Sequence, residues 1–185
     1  MRLFTAIAFP PDVIAELKTA QEWLRGRVDA QRWQSLANAH LTLHFLGETP
    51  EPMLAPLEAV MASGCAQAAP FDLALGAFGG FPNLARARVL WLGVGGERDR
   101  LLALEARLRP AIAAVGLDTE DRAYKPHITL AREPDRHASL AELPDQWVAR
   151  PMAWRVDEVL LFRSELKPQG AVHTVMGRYP LLGGR

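Results

Sequence analysis

The sequence is short of cysteine, of net charge and of long apolar runs. Its one cysteine, Cys65, excludes an internal disulfide, and a reducing, cytoplasmic setting is expected. Lys and Arg number 21 and Asp and Glu number 21, so neither sign prevails. That balance argues against a protein that coats long nucleic-acid duplexes, because neutralising many phosphates takes many cations. It still leaves room for a local basic patch that takes one phosphate or one strand end. Residues 3–9 are apolar but stop at Pro10 and Pro11. This run is too short to span a membrane and lacks a leader's small-residue cleavage site. No low-complexity segment or linker divides the 185 residues, so one domain, 1–185, is expected.

Enough apolar material is present for a sizeable core, and its periodicity alternates between two kinds. Residues 3–9 read as a buried strand. Val13, Leu17, Ala20, Leu24 and Val28 mark a helix opened by the proline pair. Residues 32–39 read as a polar connector, and residues 40–46 as a strand ended by Gly47. A second helix is expected over residues 52–68. Cys65 then falls on an apolar helical pattern, as a small packing residue rather than a nucleophile. Residues 71–78 and 89–94 read as strands separated by a turn cluster at Gly79-Gly80-Phe81-Pro82-Asn83. A third helix is expected over residues 98–115, kinked or split at Pro110 and capped by Gly116. Further strands are expected at 127–130, 154–163 and 171–178, with a short helix near 138–143. Mixed elements with antiparallel pairs predict an α+β fold.

One four-residue pattern occurs twice: His40-Leu41-Thr42-Leu43 and His127-Ile128-Thr129-Leu130. In a strand, residues two apart share a face. Each copy therefore buries its aliphatic pair and presents an imidazole beside a hydroxyl. Two such copies face to face suit phosphodiester cleavage. One imidazole takes a proton from water and the other gives one to the departing oxygen. The hydroxyls bond the non-bridging oxygens, where charge gathers. Histidine fits both tasks because its ordinary pKa of about 6.5 allows one neutral and one charged ring. This chemistry calls for no metal and no cofactor.

These motifs resemble the two-histidine (2H) phosphoesterase superfamily. Within it, the chain is most similar to the RNA 2′,3′-cyclic phosphodiesterases, formerly called 2′-5′ RNA ligases. Supporting strings include Arg2-Leu3-Phe4, His40 to Glu48, Phe81-Pro82-Asn83, Arg88 to Val94, Lys125 to Arg132 and Val159 to Ser164. The resemblance implies a bilobal, pseudo-symmetric fold, with two antiparallel sheets flanked by helices around a central cleft. It implies hydrolysis of RNA 2′,3′-cyclic phosphate ends to 2′-phosphomonoesters, with 2′-5′ ligation as a possible reverse reaction. It assigns His40 as proton donor and His127 as proton acceptor, with Thr42 and Thr129 on the phosphate. RNA 3′ ends or nucleotide 2′,3′-cyclic phosphates are the expected partners. No membrane and no protein partner is implied, and a monomer is expected.

Further residues are candidates for contacting substrate. His44 is expected on the face of His40. Spacing of i, i+4 would suit zinc only on a helix, and the alternation here indicates a strand. Arg132, Lys125 and Arg163 are candidate phosphate or backbone contacts. Tyr124 and Phe45 are candidate base-stacking residues. His137 and His173 have no motif context and receive no role. Gly93-Val94-Gly95-Gly96 lacks the lysine of a phosphate loop and reads as a turn. Two alternatives stay open: a cyclic phosphodiesterase for small nucleotides or 2′-5′ oligonucleotides, and a non-catalytic RNA-end binding module.

Overall fold

The structure, a computed structural model, describes residues 1–117, 119, 122–135, 143, 152–168 and 170–184. The described elements run β1 (Arg2–Ala8), α1 (Pro11–Arg25), β2 (Ala30–Trp33), β3 (His40–Glu48), α2 (Leu54–Ala66), β4 (Phe71–Phe81), β5 (Val89–Gly96), α3 (Arg98–Ala114), β6 (His127–Pro134), β7 (Ala153–Val156), β8 (Glu158–Lys167) and β9 (Gly170–Pro180). They form two antiparallel sheets, ordered β3-β1-β8-β9 and β2-β6-β5-β4-β7. The α+β class follows from three helices packed on these sheets.

The sheets repeat one arrangement. β1 leads through a helix to its antiparallel neighbour β3, and β5 leads through a helix to its antiparallel neighbour β6. A further antiparallel strand lies on the other side of each leading strand, β8 beside β1 and β4 beside β5. The helices are exchanged between halves. Trp23 of α1 stacks on Phe78 of β4, with ring centroids 5.3 Å apart. α3 instead sends Glu105 to His44 on β3, and α2 packs against β9. Buried residues from both sheets and all three helices merge in one apolar cluster, Leu3, Leu17, Leu41, Leu57, Leu92, Leu104 and Ile128 among them.

Four expectations need correction. Residues 32 and 33, the start of the expected 32–39 connector, belong instead to a strand, β2, paired with β6. β4 continues through Gly79 and Gly80, read above as part of a turn. These glycines admit a neighbour: a Cβ on Gly79 would stand 2.1 Å from the indole of Trp91 on β5. Residues 154–163 are two strands in different sheets, β7 and β8, separated at Asp157. α3 is not split at Pro110 but passes through it as one helix, keeping Leu101, Leu104, Leu108 and Ile112 on its buried side. Gly116 does close it, at φ +85°, where a side chain would be strained. The short helix expected near 138–143 lies outside the described residues except for Leu143.

Candidate active site

Each motif opens a strand, and the residue paired with each histidine is small. Ala8 lies opposite His40 and Gly93 lies opposite His127. Paired residues share a face, so a large side chain there would crowd the imidazole. His40, Thr42, His127 and Thr129 are half-buried, whereas Leu41, Leu43, Ile128 and Leu130 are buried. The expected alternation therefore holds through both motifs.

It then breaks at the same place in both. On β3, Thr5 pairs with His44 and Ala6 with Thr42, so Leu43 is an extra residue. On β6, Leu90 pairs with Ala131 and Trp91 with Thr129, so Leu130 is the extra one. Such a bulge shifts the phase of all that follows. His44, expected on the face of His40, is instead turned inward and is 3% exposed. Phe45 and Arg132, which strict alternation would aim away from the histidines, are turned to the exposed side. The Arg2 guanidinium lies 5.2 Å from the centre of the Phe45 ring. Arg132 is joined there by Arg32, its register partner on β2.

His44 belongs to a buried polar brace. Thr5 Oγ1 accepts the His44 backbone N–H at 3.2 Å, so its own hydrogen is left to donate to His44 Nδ1, 3.0 Å away. Nε2 then carries the ring proton, 3.3 Å from Glu105 Oε1 but off the line of a well-formed hydrogen bond. Glu105 is 4% exposed and accepts from Arg109 at 2.8 Å from Nε and 2.6 Å from Nη2. Burial pushes the His44 pKa down to about 4; the neighbouring Glu105 opposes this and Arg109 adds to it. His44 is thus neutral at pH 7 and holds α3 to β3 rather than meeting substrate.

The other half has a matching brace. Gln21 of α1, 7% exposed, donates through Nε2 to the carbonyls of Leu130 (3.0 Å) and Gln34 (2.8 Å). Leu130 is the bulge residue of the second motif. Each bulged strand is therefore gripped by a polar side chain from the other half's helix. A direct link completes the tie: Tyr124 Oη donates to the Thr42 carbonyl at 2.8 Å. Burial pushes the Tyr124 pKa up, and Glu105 adds to that. Tyr124 thus joins the segment before His127 to the first motif. β3 and β6 approach each other directly as a result.

The two imidazoles have different surroundings. His127 Nδ1 is 2.7 Å from the Lys125 carbonyl. A carbonyl only accepts, so Nδ1 carries a proton and the neutral ring keeps its lone pair on Nε2. Lys125 contributes through its backbone, while its side chain is exposed. The His127 ring is edge-on to Phe81 (4.7 Å) and tilted to Trp91 (6.2 Å). His40 lies 4.7 Å from Phe4 at 33° and 5.4 Å from His173 at 83°, with Phe162 at 6.1 Å. His173, given no role above, thus reaches the first motif; its position on β9 carries no sequence signal. Arg163 does not reach it. It pairs in register with Leu3, on the opposite face from Phe4, and bonds Glu165. His137 lies outside the described residues. No group of three or more His, Cys, Asp or Glu side chains able to hold a metal occurs among the described residues. None of the described helices is long and apolar enough to cross a membrane.

Residues 9–168 match the model of the 2′-5′ RNA ligase superfamily. The chain belongs to this superfamily. It is 37% identical to the RNA 2′,3′-cyclic phosphodiesterase of Thermus thermophilus, covering 99% of this chain and 91% of that protein. It is 32% identical to the protein of the same name from Thermotoga maritima, over 100% and 97%. Its fold matches the crystal structure of TT0787 of Thermus thermophilus with a TM-score of 0.83, at 34% identity and full coverage of both chains. Escherichia coli LigT complexed with 3′-AMP matches with a TM-score of 0.79, at 27% identity and 97% coverage of each.

Proposed function

We propose that this protein hydrolyses RNA 2′,3′-cyclic phosphate ends to 2′-phosphomonoesters by acid–base catalysis from His127 and His40. One observation carries the reading. Two strands with the same bulge are tied side by side, each presenting an imidazole and a hydroxyl on its open face. The names of the relatives support the same substrate class.

The pseudo-symmetry of the motifs leaves acid and base undecided, but the surroundings favour one assignment. With Nδ1 held on the Lys125 carbonyl, His127 offers the Nε2 lone pair to a water hydrogen. The water oxygen attacks phosphorus as its proton passes to that nitrogen. The bond from phosphorus to the 3′ oxygen breaks, and His40 gives that oxygen its proton. The Phe4 ring, tilted at 33° to His40, steadies the charged ring His40 needs beforehand. Thr42 and Thr129 donate to the non-bridging oxygens as charge builds there. Arg132, Arg32 and Lys125 attract the anionic strand, and Phe45 offers a ring to a base. Ligation through a 2′-5′ linkage is the same step with a 5′ hydroxyl attacking in place of water.

Both histidines come from one chain, so we assign the activity to a monomer of residues 1–185, without metal or cofactor. A reducing, cytoplasmic setting suits Cys65, whose buried thiol is pushed up to about 12 and is unreactive. The test is product analysis of an RNA ending in a 2′,3′-cyclic phosphate, run in EDTA. A 2′-phosphate beside a free 3′ hydroxyl is expected. A 3′-phosphate, or binding without turnover, would overturn the proposal. Rates on a mononucleotide 2′,3′-cyclic phosphate separate RNA ends from small nucleotides as the preferred substrate.

A further inference from the structure

His173 stands outside both motifs, yet β9 carries it to the face of the four-stranded sheet that holds His40. It pairs with Ser164 on β8. Its ring is edge-on to His40 (5.4 Å, 83°) and to Phe4 (5.0 Å, 77°). Nδ1 is sealed from solvent and has no hydrogen-bond partner, although the residue as a whole is half-buried. A buried N–H without an acceptor is rarer than a buried acceptor left short of donors. Nδ1 is therefore the lone-pair nitrogen, and Nε2 carries the proton at the ring's polar edge. Burial lowers the His173 pKa, which keeps the ring neutral and spares His40 a competing charge.

We propose that His173 binds substrate, donating from Nε2–H to an oxygen of the terminal nucleotide on the leaving-group side of the scissile phosphate. This rests on the proposed function, since it takes the leaving oxygen to be the one His40 protonates. His40 must come within roughly 3 Å of that oxygen. A ring only 5.4 Å from His40 then reaches the ribose of the same nucleotide and little beyond it. The contact moves no proton and is made equally before and during reaction. Such uniform binding sets KM and leaves kcat alone.

The experiment is steady-state hydrolysis of a cyclic-ended oligonucleotide and of a mononucleotide 2′,3′-cyclic phosphate by wild type, His173→Phe and His173→Gln. The Phe variant keeps the ring contacts and loses the donor. Its KM is expected to rise about tenfold on both substrates, with kcat and pH profile unchanged. The Gln variant, whose amide can donate, is expected to recover most of the loss. An unchanged KM for the Phe variant overturns the proposal. So does a loss confined to kcat with a displaced pH limb, or one confined to the oligonucleotide. Imidazole nitrogen NMR of the wild type reads the tautomer even if a variant fails to fold. Nε2–H supports the assignment, and Nδ1–H overturns it. Failure of the wild type to hydrolyse either substrate would sink the proposed function. Normal wild-type turnover with an indifferent Phe variant would sink only the role of His173.

Discussion

The half built on β1 and β3 and the half built on β5 and β6 share a strand pairing, a His-x-Thr motif and a bulge at the residue that follows the motif's threonine. They differ in what surrounds those shared parts. In the first half a small residue, Ala6, lies opposite the threonine, and the histidine rests among Phe4, Phe162 and His173. In the second half Trp91 lies opposite the threonine, and the histidine is pinned by a backbone carbonyl. The braces differ too. The first bulge is held by a buried carboxylate, imidazole and guanidinium, the second by one neutral amide. Equal scaffolds with unequal surroundings are what a reaction needs when it asks one imidazole to accept a proton and the other to donate one.

The comparison can be broken most sharply at the histidines. His127→Ala is expected to lower kcat about a thousandfold while binding of cyclic-ended RNA stays within a few fold; His40→Ala should match it. Single-turnover assays and filter binding check both, and a loss under tenfold in either would leave one half without a catalytic part. The braces come next. Glu105→Ala removes the buried carboxylate that joins half-buried Arg109 to His44 and is expected to cost about 3 kcal/mol of stability. Gln21→Leu should cost less, about 1–2 kcal/mol, because only a neutral amide is lost. Urea melts of equal depth would show that the ionic character of the first brace does not matter.

The pH dependence sharpens the contrast further. His44 is about 4 in the fold and about 6.5 unfolded, so the unfolded chain binds its proton first as pH falls. Its contribution is present above pH 6.5, and it is lost as pH drops towards 4. Between pH 7 and pH 5 this amounts to about 2 kcal/mol. His44→Gln should flatten that slope in denaturant melts, and an unchanged slope would refute the assignment. The smallest effect is expected at the tie between halves. Tyr124→Phe removes one hydrogen bond to Thr42 and should cost about 1 kcal/mol, again read by denaturant melts.

Much of this was legible beforehand. The paired His-x-Thr strands, their inward aliphatic residues and the three helices follow from periodicity, because a local pattern of period 2 or 3.6 is written directly in the chain. The bulges were not legible, since a bulge exists only relative to a partner strand. That one feature accounts for the misplacement of His44 on the site face and for how Arg132 and Phe45 come to be exposed. β2 was missed because Ala30–Trp33 is short and lacks an apolar alternation of its own; it is a strand by virtue of the β6 edge it joins. Gly79 and Gly80 resemble a turn in isolation; in the fold they continue β4, and the Trp91 indole of β5 occupies the space that a Cβ on Gly79 would take. His173, 133 residues from His40 in number, has no neighbour in sequence that marks it.

The order of residues was enough to determine which side chains hold the acid–base and hydroxyl chemistry and which strands present them. Tertiary structure alone decided which of them share a face, which imidazole has its Nδ1 fixed, and which charged groups vanish into the interior. The reason is that side-chain identity and local period belong to the chain, whereas register, burial and hydrogen-bond partners depend on segments far apart in sequence meeting in space.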